Sequence, residues 1–384
     1  MSEEGEFKIA IRTEFDVSII DIHTNRKGYT IDFKQNFKSI EELVVYYQKY
    51  AINSSDSDYD RRLPKPYVCS AFHASMISQR IETLRRNEGD SNERQISLFI
   101  QEYSDLDRIS KRSVYFYSEA TKANARGKNR YSNILAYDHT RVKLMNCEDD
   151  YINANYVNAD FQTEAPAYIL CQAPTEKTID DMWRMIIQES VKTIVILTGL
   201  IESSGVKCEK YWPDLNESRK LWDEYKVTTV EEDICANIDT ITVAIAKNDG
   251  SLNFECKLYH YKTWPDHGVP KQSWTVLKLI TILNERREIY PNSTTVVHCS
   301  AGVGRTGTFV VLDIILNQIK NRGVSTVIDI KEALLKLRKQ RAALVQSCKQ
   351  YEFIYTTIKT YIDWRLGHPK YLNLQMEPDN NENK

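Results

Sequence analysis

A mixed α/β fold is predicted for most of this 384-residue chain by three observations. β-forming runs alternate with capped, apolar-periodic segments over a long region that ends near Gly367. A glycine-rich turn, His298-Cys299-Ser300-Ala301-Gly302-Val303-Gly304-Arg305-Thr306-Gly307, joins a β-forming run to a helical repeat. A separate N-terminal stretch carries its own β-rich runs and a capped helix, which makes it a small α+β segment. The length allows two to three domains with a sizeable core in at least one.

In chain order, Phe7 to Ile11, Val17 to Ile22 and Tyr29 to Phe33 are β-rich and are separated by polar or glycine-containing turns. Ser39 and Glu42 make a capping box ahead of Leu43-Val-Val-Tyr-Tyr47, so a helix is expected there. The stretch from Asn53 to Asp60 has loop composition, and the prolines of Leu63 to Val68 favour extended backbone. A boundary is therefore expected near Val68. His73 to Arg86 and Asn92 to Ile109 read as charged helices that lead into the mixed region. The tail from Gln375 to Lys384 is polar and is expected to be disordered.

Charge and composition exclude some function classes. The 51 basic and 53 acidic residues leave a net charge of −2, so no global field favours nucleic acid or an anionic membrane. Eight cysteines lie dispersed without CxxC pairs, which favours reduced thiols in the cytosol over disulfides or zinc. The acidic start, Met1-Ser-Glu-Glu-Gly-Glu6, lacks the apolar core of a signal peptide, and no apolar run is long enough for a membrane span.

The glycine turn carries the chemistry. Ser293 to Val297 are mostly β-formers and Thr308 to Ile319 repeat apolar residues at helical spacing, so the turn sits at a helix N-terminus. Such a position offers unpaired amides and a positive dipole end, and glycines let successive N–H groups face one anion. Gly302-x-Gly304-x-x-Gly307 also matches a dinucleotide fingerprint, with Asp329 near the place of a ribose-binding acid. Against that reading, the 77 residues after Gly307 look mostly helical, and Asp329-x-x-Glu332 is a helix cap. Phosphate chemistry accounts for more residues. Cys299 at the helix start is favoured as a thiolate nucleophile, and Arg305 presents a planar fork to two phosphate oxygens. The amides of Ser300 to Arg305 would bind the equatorial oxygens, and Thr306 could hydrogen-bond the sulfur as it leaves.

Cys-x5-Arg-Thr is the signature of the protein tyrosine phosphatases, and the chain resembles that family from about Gln95 to Gly367. Further segments carry the resemblance. Thr263-Trp264-Pro265-Asp266-His267-Gly268 is similar to the mobile acid loop, which makes Asp266 the proton donor to the leaving phenolate and then the base toward water. Trp212-Pro213-Asp214 repeats the tripeptide, but the resemblance assigns it to a structural segment whose Lys207 approaches the acid loop. Lys128-Asn129-Arg130-Tyr131-Ser132-Asn133 resembles the phosphotyrosine-recognition loop, where Tyr131 would stack on the substrate ring and set pocket depth. Asp150 to Tyr156 and Tyr168 to Pro174 match motifs that position neighbouring loops. Arg341 to Tyr351 is similar to the glutamine motif, in which Gln346 would orient the hydrolytic water, with Gln350 assisting.

The catalytic candidates are thus Cys299, Arg305, Asp266, Gln346, Thr306 and His298. The substrate-binding candidates are Tyr131, Asn133, Lys207, Ser300, Ala301, Gly302, Val303, Gly304 and Gln350. The resemblance implies a central, highly twisted mixed β-sheet flanked by helices, no metal or other cofactor, and tyrosine-phosphorylated proteins as partners. It further implies a non-receptor, cytoplasmic enzyme. The rival class is a catalytically silent phosphotyrosine-binding protein; silent relatives lose the acid, thiol or arginine, and this chain keeps all three. Two positions depart from the family pattern. Asn133 stands where an aspartate usually accepts two substrate backbone bonds, and Ala136 stands in place of a proline, which is expected to loosen its loop.

Upstream, Phe37 to Tyr47 and Leu63 to Val68 resemble the last helix and final strand of a Src-homology-2 domain. The expected organisation is 1–68 as a partial segment of that kind, 69–94 as a helical linker, 95–367 as the catalytic domain and 368–384 as a polar tail. The module's phosphate-gripping arginine would precede Phe7, and Ile19 replaces its usual histidine. Ordinary phosphotyrosine binding is not expected from this segment. Contact with the catalytic domain or with another protein is.

Overall fold

Alternating β-formers near the N-terminus pair as antiparallel strands because each strand needs only a tight turn to reach the next. A computed structural model describes residues 7–12, 17–25, 27–31, 34–49, 70–88, 96–112, 114–158, 167–265 and 268–368. These fall in two units, Met1–Cys69 and Ser70–Lys384. In the first, β1 (Phe7–Arg12), β2 (Val17–Asn25) and β3 (Gly28–Thr30) form an antiparallel sheet. Helix α1 (Ile40–Lys49) follows. Ser39 Oγ accepts the Glu42 N–H at 3.2 Å, while the Glu42 carboxylate reaches back to the Lys38 N–H at 3.0 Å, one residue before the expected partner. Ile22, Phe37, Leu43 and Tyr47 form the small core. The extended segment expected at 63–68, the loop at 53–60 and the tail at 375–384 lie outside the described residues.

The second unit begins with α2 (Ile77–Arg85), whose Ile77, Ile81 and Leu84 are buried in the main core. Helix α3 spans Leu98–Ser110, so it starts six residues after the expected Asn92. Ser97 explains the start: its hydroxyl accepts the Phe99 N–H, and Ile96–Ser97 pairs with Asn87–Glu88 as a short strand. A nine-stranded sheet follows. Its strands are β4 (Arg141–Lys143), β5 (Tyr151–Val157), β6 (Tyr168–Cys171), β7 (Thr193–Ile196), β10 (Ser218–Leu221), β11 (Tyr225–Asp233), β12 (Ile238–Lys247), β13 (Asn253–Tyr261) and β14 (Thr295–His298). A separate hairpin, β8 (Ile201–Glu202) with β9 (Gly205–Val206), follows β7.

The sheet order is β10-β11-β12-β13-β7-β14-β6-β5-β4. The four central strands, β13, β7, β14 and β6, are parallel and the flanks antiparallel. This is the large mixed sheet expected. Its parallel centre reads as continuous apolar sequence, as in Thr193-Ile-Val-Ile196 and Thr295-Val-Val-His298, because both faces are covered. Helices α4 (Ile179–Gln188), α5 (Trp274–Ile289), α6 (Gly304–Arg322), α7 (Ile330–Arg338) and α8 (Cys348–Arg365) complete the unit. The cap of α7 is the one expected, with Asp329 accepting the Glu332 N–H at 2.9 Å.

One buried ion cluster locks α6 in place. The Asp313 carboxylate, fully buried, takes two bonds from Arg287 of α5 at 2.6 and 3.0 Å, one from Tyr168 of β6 and one from Asn317. Losing one member of such a buried pair costs about 3–5 kcal/mol, so the cluster fixes helix against sheet. No helix among the described residues is long and apolar enough to cross a membrane.

Candidate active site

At the C-terminal edge of the parallel strands, β14 ends at His298 and α6 begins at Gly304, so Cys299 to Val303 form the crevice loop. Every carbonyl from Cys299 to Gly304 is held from outside the loop's concave side. Cys299 O accepts His298 Nδ1–H at 3.1 Å and Ser300 O accepts the Ala173 N–H at 2.9 Å. Arg341 donates Nη2–H to Ala301 O at 3.2 Å and Nε–H to Gly302 O at 2.8 Å. Val303 O accepts from the Val345 N–H at 3.1 Å, and Gly304 O from the Thr308 hydroxyl at 2.9 Å. A trans peptide points its N–H opposite to its C=O, so the amides of Ser300 to Arg305 turn toward the other side. The Gly302 N–H meets Cys299 Sγ at 3.3 Å on that side.

Gly302 is required by this shape. Its φ is +71°, and a Cβ there would lie 1.9 Å from Cys171 O. Gly304 allows a second approach, since a Cβ on it would sit 2.7 Å from Gln346 Oε1 and 3.1 Å from Gln350 Nε2. Both glutamines therefore lie over the first turn of α6. Gln350 is buried and its Oε1 accepts the Gln346 N–H at 2.9 Å.

Arg305 is 5% exposed and its guanidinium binds the Glu202 carboxylate bidentately, Nη1 at 2.5 Å and Nη2 at 2.8 Å. Nη1 also donates to Leu197 O at 3.2 Å. Glu202 Oε1 is itself held by the Thr198 hydroxyl at 2.9 Å and the Gly199 N–H at 3.2 Å. Neither Glu202 nor the backing role of Arg341 was legible in the sequence, because their partners lie 103 and 39 residues away. Arg341 is fully buried and also binds Asn155 at 2.7 Å and Asn153 at 3.0 Å on β5. A run of asparagines alternating along one strand, Asn153 and Asn155, was the available signal for a buried cation.

Tyr131 stands beside the loop, half-buried, with its hydroxyl 3.0 Å from Ser300 Oγ. Its own loop is tied down by Gln172, which accepts the Arg130 N–H at 2.9 Å and donates to Lys128 O at 2.7 Å. Asn133 is exposed. Ala136 is fully buried in a small cluster with Ala120, Ala125 and Tyr151. Lys207 is buried after the β8/β9 hairpin, its N–H on Leu200 O at 2.8 Å.

His298 is fully buried, and burial pushes its imidazole down to about 4, so it is neutral near pH 7. With Nδ1–H on Cys299 O, its Nε2 accepts from the Tyr211 hydroxyl at 3.1 Å. This arrangement sets the backbone of Cys299. Thr306 Oγ1 is buried and has no hydrogen-bond partner among the described residues. Residues 266 and 267, which include Asp266, lie outside the described residues. The flanks of that loop are anchored, since Trp264 is buried against Phe353 and donates Nε1–H to Gly268 O at 3.2 Å. In the second Trp-Pro-Asp copy, Asp214 is exposed and pairs with Lys210.

Gly302→Ala is expected to abolish anion binding, read as loss of the rise in melting temperature that phosphate or vanadate gives the wild type. Gly127→Ala, where an added Cβ meets nothing within 4 Å, should keep that rise.

Residues 125–360 match the family model described as protein-tyrosine phosphatase. Receptor-type tyrosine-protein phosphatase eta of Gallus gallus is 36% identical over 274 residues, which is 70% of this chain and 19% of that protein. Receptor-type tyrosine-protein phosphatase C of Mus musculus is 32% identical over 338 residues, 84% of this chain and 25% of that protein. The chain thus spans a fifth to a quarter of the length of these relatives. The family match covers more than half of the chain and contains the loop, both arginines and both glutamines of the site, so the chain belongs to the protein-tyrosine phosphatase family.

Proposed function

We propose that this chain hydrolyses phosphotyrosine in proteins through a phosphocysteine formed on Cys299. The observation that supports this reading most is the row of six outward carbonyls, which turns the amides of Ser300 to Arg305 toward one anion beside the sulfur. Phosphotyrosine enters against Tyr131. Cys299 Sγ attacks phosphorus, the aryl P–O bond breaks, and Asp266 gives its proton to the leaving phenolate. Ser300, Ala301, Gly302, Val303 and Gly304 hold the equatorial oxygens with their amides. Arg305, fixed by Glu202 through Nη1 and Nη2, meets the phosphate with its Nε–Nη2 edge. Water placed by Gln346, with Gln350, then attacks phosphorus; Asp266 takes its proton, the P–S bond breaks and phosphate leaves. Arg305 and the amides supply the electrostatics, so this reading includes no metal or other cofactor.

The dispersed thiols and a cysteine nucleophile support a reducing, cytoplasmic setting. The three strands and capped helix of the first unit support reading it as a Src-homology-2-like segment, the arrangement of a non-receptor group. We assign that segment a protein-contact role without phosphate binding; specific retention of a phosphotyrosine peptide by residues 1–68 would overturn this.

Phosphate release from a tyrosine-phosphorylated peptide should persist in EDTA. It should fall about 10³-fold or more in Cys299→Ser and about 10²- to 10⁴-fold in Asp266→Ala. Metal dependence, or full activity in Cys299→Ser, would sink the mechanism. At Asn133, a neutral amide replaces a charged acceptor, so Asn133→Asp is expected to raise kcat/KM on phosphopeptides about tenfold while leaving a small aryl phosphate unchanged. Equal efficiency of the two proteins on phosphopeptides would remove the peptide-preference argument.

A further inference from the structure

Behind the hairpin that carries Glu202 lies a cavity of about 420 Å³ that the proposed reaction does not use. Its size is that of a small-molecule site. Leu200 and Ile241 line it as apolar surface, and Trp212 and His260 contribute buried rings that meet edge to face at 5.5 Å. Ile201 and Ile234, also lining residues, are 74% and 64% exposed, which leaves large aliphatic side chains in water.

The charges around it are unequal. Asp239 is satisfied by Lys262 at 2.7 Å and by the Cys235 N–H at 3.1 Å. Lys210 pairs with Asp214 and sits 6.0 Å from the Trp212 ring. Glu232, half-buried, lines the cavity with no side-chain partner among the described residues. His260 donates Nε2–H to Thr198 O at 2.8 Å, which makes Nδ1 an acceptor, and Asp239 4.0 Å from it offers no proton. The cavity thus combines an unpaired carboxylate, a ring nitrogen acceptor, an indole and aliphatic surface. These groups suit a cation with a flat apolar body.

We propose that this cavity binds a small arylalkylamine through Glu232 and that its occupancy alters turnover at Cys299. The route is short. Leu200 and Ile201 directly precede Glu202, the partner of Arg305, while His260 and Lys262 lie four and two residues before the anchored Trp264 of the acid loop. The turnover half rests on the phosphatase reading; the binding half does not.

Tryptamine is the probe, titrated calorimetrically into the full chain, with indole-3-acetate as the anion of matching body. Tryptamine binding that weakens about tenfold or more in Glu232→Gln, with indole-3-acetate failing to bind, supports the site. Equal binding of the two compounds, no binding of tryptamine, or binding unchanged in Glu232→Gln overturns it. With an aryl phosphate as substrate, saturating tryptamine should change kcat about twofold or more in the wild type and leave Glu232→Gln unaffected. Glu232-dependent binding with unchanged kcat overturns the turnover half. Absence of any phosphatase activity would instead count against the phosphatase reading, with calorimetry still deciding the site.

Discussion

The orientation of six successive peptide units governs the site. Convergent N–H dipoles repel one another, so a loop of this kind does not hold its shape unless its carbonyls are fixed elsewhere. Here the six carbonyls from Cys299 to Gly304 are held by five residues: His298 on β14, Ala173 after β6, Arg341 after α7, Val345 beyond it and Thr308 on α6. Arg341 matters most because it holds two of the six and is fully buried. Burial pushes its guanidinium down, and Cys171, Tyr151 and Cys299 around it push the other way. An isolated buried cation would be costly, but four oxygen acceptors compensate much of the desolvation. The same asparagines that accept from it belong to β5, so the sheet and the loop share one charged hub.

The second arginine follows a different logic. Arg305 needs a carboxylate partner because it is almost fully buried, and Glu202 supplies a planar, bidentate one. That pairing lowers the net positive charge at the site. Anion binding then depends more on the fixed amides than on long-range attraction, in keeping with a chain whose net charge is −2. Orientation is gained in return: a guanidinium held by hydrogen bonds to Glu202 and Leu197 O loses little further freedom when a phosphate arrives.

Local signals made much of this legible, and long-range ones did not. The strand, turn and helix around Cys299 could be read because their causes lie within a few residues, as could the Asp329 cap that argued against dinucleotide binding. Asn92 to Ile109 reads as one charged helix, yet Ser97 caps α3 and Ile96–Ser97 pair as a short strand. Sheet order was out of reach for another reason. β7 lies between β13 and β14, so its neighbours are set by packing of apolar faces rather than by any feature of Thr193 to Ile196. Glu202 sits in an ordinary polar hairpin, and only the fold brings it to Arg305.

Two strained residues sit where the glutamines approach the loop. Ala343 and Val345 have φ of +55° and +59°, a region that non-glycine residues enter at a cost of about 1–3 kcal/mol and that is worse for a β-branched side chain. Three donors hold this conformation: Arg338 bonds Leu344 O at 2.8 Å and Val345 O at 2.9 Å, and the Tyr103 hydroxyl bonds Val345 O at 2.9 Å. The consequence is close contact. A Cβ at Gly307 would lie 2.6 Å from the Val345 nitrogen, so glycine on α6 and left-handed backbone on the facing segment are two halves of one approach. The Val345 N–H thereby reaches Val303 O, one of the six fixed carbonyls, and the next residue, Gln346, comes over Gly304. Backbone strain at Val345 and the orientation of the anion loop are therefore coupled through a single hydrogen bond, and a substitution that relaxes the first must disturb the second.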